Sequence, residues 1–264
     1  MKVRLNPGEC GIINTAFHRA MEAGGMDEIA LLQEYVDGAE NIAFFGGAGV
    51  STESGIPDFR SVDGLYSQRY DNPPEEILSR SFFFARRAEF FRFYRDRVLA
   101  LGARPNAAHR KLAELEAAGK LKAVITQNID GLHQAAGSKN VIELHGSVHR
   151  NHCLKCGRAF DAAFIKDAPG APACPCGGAV KPDVVLYGEG LEPGVIERAV
   201  AAIRAADLLI IGGTSLVVYP AAGLVDYFRG RRLAVINRTP IGSQRADLFI
   251  RGSIGEVLSK IEAR

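Results

Sequence analysis

At residues 42–52 the chain reads IAFFGGAGVST, an apolar run that ends in a cluster of glycines. The run at 42–45 is short and unbroken, which is typical of a parallel strand buried on both faces. Glycines at the end of such a strand let backbone N–H groups approach a phosphate, or they form a tight turn. The stretch therefore predicts an α/β sheet, and a bare G-x-G pattern favours neither use of its glycines over the other.

Similar apolar runs recur along the chain, at 123–126, 208–211, 233–236 and 248–250. Helical patterns accompany them, at 28–36, 107–118, 193–205 and 221–228. Alternation of strands and helices predicts an α/β fold with helices on both faces of the sheet. We therefore expect a doubly wound parallel sheet of the Rossmann-like kind.

Two stretches do not fit this alternation, and both are interpreted as insertions. Residues 64–100 include an aromatic and basic segment, at 73–100, that is predicted to be helical, and residues 149–183 are rich in Cys, Gly and Pro. We predict that together they build a smaller module, partly helical and partly a zinc ribbon. Residues 1–25 are an N-terminal extension. The large Rossmann-like part comprises residues 26–63, 101–148 and 184–264.

Four of the five cysteines lie in the second insertion, as Cys153-x-x-Cys156 and Cys174-x-Cys176. Two close pairs followed by glycines are typical of a tetrahedral zinc ribbon. Reactive thiols and disulfides are the alternatives. Four thiolates leave no open coordination position, so the predicted Zn²⁺ is structural.

The overall charge gives no electrostatic reason to expect a nucleic acid or a membrane as the main partner. The 264 residues include 32 basic and 30 acidic side chains, for a net charge of +2. The N-terminus lacks the apolar core of a signal peptide, and Pro220 and several glycines interrupt the most apolar long window. We expect a cytoplasmic protein.

The region after the glycines disfavours a hydride-transfer enzyme. The usual dinucleotide fingerprint needs a third small residue where Thr52 stands, and a second strand that ends in an acidic residue about 20 residues further on. Residues 67–74 instead read SQRYDNPP, which is typical of a loop.

Several longer motifs are more specific than the glycines. Residues 47–61 read GAGVSTESGIPDFRS, which resembles the cofactor loop of sirtuins nearly residue for residue. Blocks similar to those of the same family follow in order: TQNIDGLH at 126–133, LHG at 144–146 and GTSL at 213–216. The cysteines and the block KPDVVLYGE at 181–189 lie between the last two.

The resemblance covers residues 26–264 and implies an NAD-dependent protein-lysine deacylase. The implied reaction transfers the acyl group of an acyl-lysine on another protein or peptide to NAD, which yields nicotinamide, free lysine and O-acyl-ADP-ribose. No hydride moves, so NAD is a consumed co-substrate. We also expect a chain that begins at Met26 to be folded and active.

By the same resemblance, the NAD contacts are Gly47, Ala48, Gly49, Thr52, Asp58, Phe59, Arg60, Gln127, Asn128, Ile129, Asp130, Gly213, Thr214, Ser215, Asn237 and Ile254. Arg60 suits a pyrophosphate, although it could also form a surface ion pair. Phe59 is implied to cover the nicotinamide side of the cofactor. Asp130 is implied to hold the nicotinamide carboxamide. Gln127 and Asn128 are implied to order the ribose and a water. Residues that follow a strand in this way can also cap the next helix.

His145 is the histidine that the family uses as general base. It stands between an apolar strand and Gly146, and the ordinary pKa of histidine, near neutrality, suits a base. The implied catalytic residues are His145, Asn128 and Asp130. They would hold the two reactants in line and stabilise positive charge that develops at the ribose.

Two edges resemble those between which sirtuin substrates add as a strand. They comprise Val185, Tyr187, Gly188 and Glu189 on one side, and Val217 and Val218 on the other. Tyr94 and Arg97 are three residues apart on a predicted helix, hence on one face. Sirtuins that remove succinyl or malonyl groups carry such a Tyr-x-x-Arg pair, which can bind a carboxylate. Against this, Arg97 is one of several charged residues there, and Thr52 stands where those relatives carry Ala.

Two other functions remain open from the sequence. A mono-ADP-ribosyltransferase or NAD glycohydrolase would use the same cofactor, and a zinc-ribbon binding module would use none. The presence of Asn128, Asp130 and His145 favours deacylation. We expect deacetylation, with desuccinylation or demalonylation as a second activity.

Overall fold

The computed structural model describes residues 27–58, 72–241 and 246–264. The predicted N-terminal extension, the start at Met26, and the predicted NAD contacts Phe59 and Arg60 lie outside the described residues.

The strands of the described residues are, in chain order, β1 (Ile42–Gly46), β2 (Leu121–Thr126), β3 (Val141–Glu143), β4 (Gly146–Cys153), β5 (Ala159–Phe160), β6 (Val180–Val184), β7 (Leu208–Gly212), β8 (Arg232–Asn237) and β9 (Leu248–Arg251). Six of them form one parallel sheet in the order β3-β2-β1-β7-β8-β9. The chain moves outward from β1 in one direction and then, from β7, in the other. This reversal confirms the doubly wound α/β prediction and places a topological switch point between β1 and β7.

Within the described ranges the α-helices are, in chain order, α1 (Glu28–Gly38), α2 (Pro74–Ile77), α3 (Arg80–Ala85), α4 (Arg87–Phe93), α5 (Ala107–Ala117), α6 (Leu132–Ala136), α7 (Ala162–Asp167), α8 (Pro193–Ala205) and α9 (Ile254–Ser259). Residues Tyr94–Val98 form a π-helix, and Ala48–Val50, Thr52–Ser54 and Ala221–Tyr227 are 3-10 helices. Among the described residues, we find no helix with the length and apolarity that a membrane span requires.

Alternate residues of the central strands face two separate apolar layers, because both faces of the sheet are covered. Phe44 and Ile210 point to the layer that contains α1, α5 and α9. Phe45 and Ile211 point to the layer of α8 and the 3-10 helix Ala221–Tyr227. All residues of β1 and β7 are buried, which explains why these strands read as continuous apolar runs.

The two insertions share one core. Strands β5, β4 and β6 form a small antiparallel sheet, and phenylalanines of α3 and α4 pack with Ile165 and Val180 of the cysteine-rich part. Arg95 joins the same parts: its Nε donates to the Ile165 carbonyl at 2.7 Å and its Nη2 to the Gly170 carbonyl at 2.6 Å.

Two predicted helical segments differ in detail. Residues 73–100 are broken, because Ser79 caps a new helix by accepting from the Phe82 N–H and the Arg80 N–H donates to the Tyr187 carbonyl. Residues 221–227 form a 3-10 helix, with Gly223 donating to the Pro220 carbonyl. Glycine has low α-helical propensity, which weakens an α-helix at this point.

Candidate active site

A cleft of about 610 Å³ opens at the carboxyl ends of the parallel strands. It lies at the switch point between β1 and β7, where open α/β sheets bind ligands. Most of the residues singled out from the sequence line it: Gly47, Ala48, Gly49, Thr52, Asp58, Tyr94, Arg97, Gln127, Asn128, Ile129, Asp130, His145, Val185, Tyr187, Gly188, Glu189, Gly213, Thr214, Ser215, Val218, Asn237 and Ile254. Val217 does not line the cleft and is 54% exposed.

The glycines after β1 pack directly on the loop after β7. The Gly49 N–H donates to the Gly213 carbonyl at 2.8 Å, and a Cβ on Gly49 would stand 2.8 Å from the Gly213 Cα. Gly213 has a φ of +59° and would clash with the Val50 backbone if it carried a side chain. This contact between loops requires glycine at both positions. The 3-10 helices Ala48–Val50 and Thr52–Ser54 occupy the place where a dinucleotide-binding fold usually begins an α-helix.

Ser51 connects the amide and carboxylate that follow β2. Its Oγ donates to Asp130 Oδ2 at 2.6 Å and accepts from Asn128 Nδ2 at 3.1 Å. The other Asp130 oxygen accepts from the N–H of Leu132, the first residue of α6. A hydrogen bond to the start of this helix and a position in the cleft are thus compatible for Asp130. We call Ser51, Asn128 and Asp130 the Ser51 cluster.

Ser51 is a buried polar residue that our interpretation of the sequence did not include among the site residues. The available signal was its hydroxyl, two residues after Gly49 in the glycine loop. Nothing in the local pattern indicates its partners, because they lie nearly 80 residues away in the chain.

A second set of contacts joins the ends of β2 and β7 and orders the end of β8 around the cleft. Gln127 Nε2 donates to Thr214 Oγ1 at 3.1 Å, across β1. Asn237 Nδ2 donates to the Thr239 carbonyl at 2.8 Å. Ile254 is buried, and its side chain occupies the space where a Cβ on Gly212 would stand. These contacts fix the polar groups before any ligand binds.

His145 follows β3 and is held by its ring. Its Nδ1 lies 3.0 Å from the Gln127 carbonyl oxygen, which can only accept, so Nδ1 carries the proton and Nε2 keeps its lone pair. Burial lowers the pKa of His145 below its usual 6.5, although the bond to Gln127 raises it. The imidazole is therefore neutral near pH 7 and can accept a proton at Nε2.

The four cysteines of the small module are arranged to hold one metal ion. Their sulfurs all lie within 4.8 Å of one another, with Cys153 and Cys176 at 3.5 Å and Cys156 and Cys174 at 3.6 Å. Tetrahedral zinc with Zn–S bonds of ~2.3 Å needs sulfurs ~3.8 Å apart, whereas a disulfide needs ~2.05 Å. The donor set thus fits a closed structural zinc site.

Comparison with known proteins identifies similar families and structures. A family model described as the Sir2 family matches residues 47–220. An NAD-dependent protein deacetylase of Clostridium acetobutylicum is 55% identical over 241 residues, which cover 89% of this chain and 98% of that protein. A protein of the same name from Cutibacterium acnes is 56% identical over 234 residues, which cover 88% of this chain and 96% of that protein.

Solved structures of Sir2 proteins are also similar to this chain in sequence and fold. A Sir2 homolog–NAD complex is 40% identical with a TM-score of 0.80, covering 89% of this chain and 92% of that one. A Sir2 structure with a deacetylated p53 peptide and 3′-O-acetyl ADP-ribose is 35% identical with a TM-score of 0.81, covering 88% of this chain and 96% of that one.

Proposed function

Because the chain belongs to the Sir2 family, we propose that it acts as an NAD-dependent protein deacetylase on acetyl-lysine-bearing proteins. One observation carries this proposal: a neutral histidine with a free Nε2 faces the same cleft as the Ser51 cluster. NAD, when bound, supplies the ribose carbon and the nicotinamide leaving group. The zinc would have a structural role and take no part in the reaction, because the four cysteine thiolates leave it no open coordination position.

The chain's own residues would bind the phosphates of NAD, orient its carboxamide and ribose, and accept a proton from the reactants. The two glycine loops line the cleft without side chains at Gly47, Gly49 and Gly213, which lets a phosphate approach the backbone closely. The Ser51 cluster presents an amide and a carboxylate in fixed geometry, which suits the carboxamide and the ribose. His145 accepts a proton at Nε2 and keeps its orientation through Nδ1.

Mass spectrometry tests this proposal against its alternatives. The protein with NAD and an acetyl-lysine peptide is expected to give nicotinamide, deacetylated peptide and O-acetyl-ADP-ribose in equal amounts. Free ADP-ribose with unchanged peptide would indicate an NAD glycohydrolase, and a peptide carrying ADP-ribose would indicate a transferase. A binding module would leave NAD intact. We further propose cytoplasmic proteins as the substrates, since the near-balanced charge does not favour nucleic acid or a membrane.

The lowered pKa of His145 predicts the pH dependence. A general base is active when neutral, so activity falls as the pH drops through its pKa, and a pKa below 6.5 moves this loss to lower pH. We expect the acid limb of kcat/KM for the peptide, at saturating NAD, to have its midpoint below pH 6.5. A midpoint at or above 6.5 would contradict the assignment.

Circular dichroism over the same pH range is the control for unfolding. His109 and His133 are buried side by side, with ring centroids 4.7 Å apart, and burial lowers the pKa of His109 to about 4 and that of His133 to about 3. Because the unfolded chain binds protons at these histidines near pH 6.5, folded stability decreases as the pH falls below that value. Activity is compared only where the protein stays folded.

We also propose a second activity, removal of acyl groups that end in a carboxylate. Tyr94 and Arg97 both line the cleft, and the Tyr94 hydroxyl is fully buried without a hydrogen-bond partner. Burial raises the pKa of Tyr94, so the hydroxyl stays protonated and can donate. A buried donor without a partner costs free energy, which an acyl carboxylate would recover by accepting from it. Both residues lie on the π-helix, a geometry found frequently at functional sites.

Arg97→Met tests this activity. A hydrogen bond to a charged group contributes ~1.5–3 kcal/mol, so kcat/KM for a succinyl-lysine peptide is expected to fall roughly 10- to 100-fold while that for the acetyl peptide changes little. Arg92→Met, on α4 and not among the residues that line the cleft, is the matched control. Absence of succinyl turnover in the wild type, or equal loss of both activities in Arg97→Met, would rule the proposal out.

A further inference from the structure

The loop at residues 184–189, which we call the rim loop, forms one wall of the cleft. It leaves the small sheet at the end of β6, and the Val185 N–H donates to the His145 carbonyl at 2.9 Å. The Glu189 N–H donates to the Leu186 carbonyl at 2.9 Å, which closes a β-turn with Gly188 at a φ of +85°. The wall therefore starts beside the histidine and ends in a tight turn.

A partly buried ion pair, between buried Lys181 and half-buried Glu189, holds both ends of this loop. Lys181, on β6, is 8% exposed, and its Nζ donates to Glu189 Oε2 at 3.0 Å. The same ammonium donates to the Val184 carbonyl at 3.0 Å and to the Pro182 carbonyl at 3.3 Å. Glu189 Oε2 also accepts from the Leu186 N–H at 3.0 Å. One lysine thus joins the start of the loop to its last residue.

A gain in stability does not by itself explain this pair. Taking an ammonium and a carboxylate out of water costs about as much as their attraction returns, and apolar residues of the same volume often serve stability equally well. The pair does fix the position of the loop. An edge that already has its bound conformation avoids the ordering cost of binding.

We infer that Lys181 and Glu189 are positioning residues that hold the rim loop ready for the substrate peptide. The inference rests on the proposed function, and it assigns the pair to binding of the peptide rather than of NAD. The contacts to Val184 and Leu186 are those that would set the backbone of this edge.

The test is steady-state kinetics on Lys181→Met, Glu189→Gln and the double variant. Each is expected to raise KM for an acetyl-lysine peptide about tenfold, with kcat and the KM for NAD within about twofold of wild type. The double variant buries no unpaired charge, so it is expected to melt close to wild type and carries the test if a single variant does not fold. Lys111→Met, which breaks a 2.7 Å pair with Glu114 on α5, is the control.

The outcomes separate the two proposals. A wild-type protein that forms no O-acetyl-ADP-ribose refutes the proposed function, whatever the variants do. With an active wild type, an unchanged peptide KM in the double variant would overturn the positioning role, as would an equal rise in the KM for NAD. A double variant that fails to fold would also overturn it, because the pair would then be required for the fold itself.

Discussion

Replacing His145 with alanine is expected to lower kcat by roughly 10²–10⁴-fold, the usual contribution of a general base. NAD affinity is expected to change little, because the ring is anchored to the Gln127 carbonyl and not to the glycine loops. Loss in kcat with unchanged NAD binding would show that the interaction is made in the transition state. Steady-state turnover at saturating substrates measures kcat, and calorimetric titration measures the affinity for NAD.

His152→Ala is the matched control for this variant. His152 lies on β4 and is not among the residues that line the cleft, so its removal is expected to leave kcat near wild type. Thermal melting of both variants excludes a loss of fold. If His145→Ala kept a near-wild-type rate, the base would be another residue and the role proposed for Nε2 would be wrong.

Removal of one zinc ligand is expected to have the largest effect on stability. Zinc binding to structural cysteine sites is worth ~10–16 kcal/mol, which is comparable to or larger than the ~5–15 kcal/mol that stabilises a whole domain. Cys153 is buried in the shared core of the insertions. Cys153→Ser is therefore expected to lose the metal, solubility and activity together.

Metal analysis, melting and turnover measure the three losses in one preparation. Cys10→Ser, which changes the one cysteine outside the quartet, is the control and is expected to keep one zinc per chain. Treatment of the wild type with a strong chelator is expected to reproduce the effect of Cys153→Ser. A metal-free variant that melts like wild type and still turns over would refute the structural role.

The central strands could be predicted from the sequence because parallel strands covered on both faces are apolar at every position. β3, by contrast, has only three residues and gives no comparable run. One of the interruptions within residues 73–100, at Arg80, involves Tyr187, which is distant in the chain and accepts from the Arg80 N–H. Local propensity does not contain such contacts.

Some features of the candidate site could likewise be predicted from the sequence, whereas others depend on contacts that the fold makes. Spacing alone was enough to indicate the cysteine quartet, since metal geometry is reflected in short intervals. Among six histidines, the resemblance singled out His145, but its tautomer follows from the Gln127 carbonyl, which only the folded chain brings near. Ser51 and Lys181 act through partners that the fold supplies. Their side chains could be read in the sequence, but their roles could not.

The core shared by the two insertions has a consequence for synthesis on the ribosome. The phenylalanines of α3 and α4, such as Phe90, emerge well before Cys176, the last cysteine of the quartet. At ~5–20 residues per second the interval lasts roughly 4–17 s, far longer than a helix needs to form. Throughout this time the aromatic side chains lack the cysteine-rich part that covers them in the folded protein. Zinc supply would then set how quickly the newly made chain leaves that exposed state.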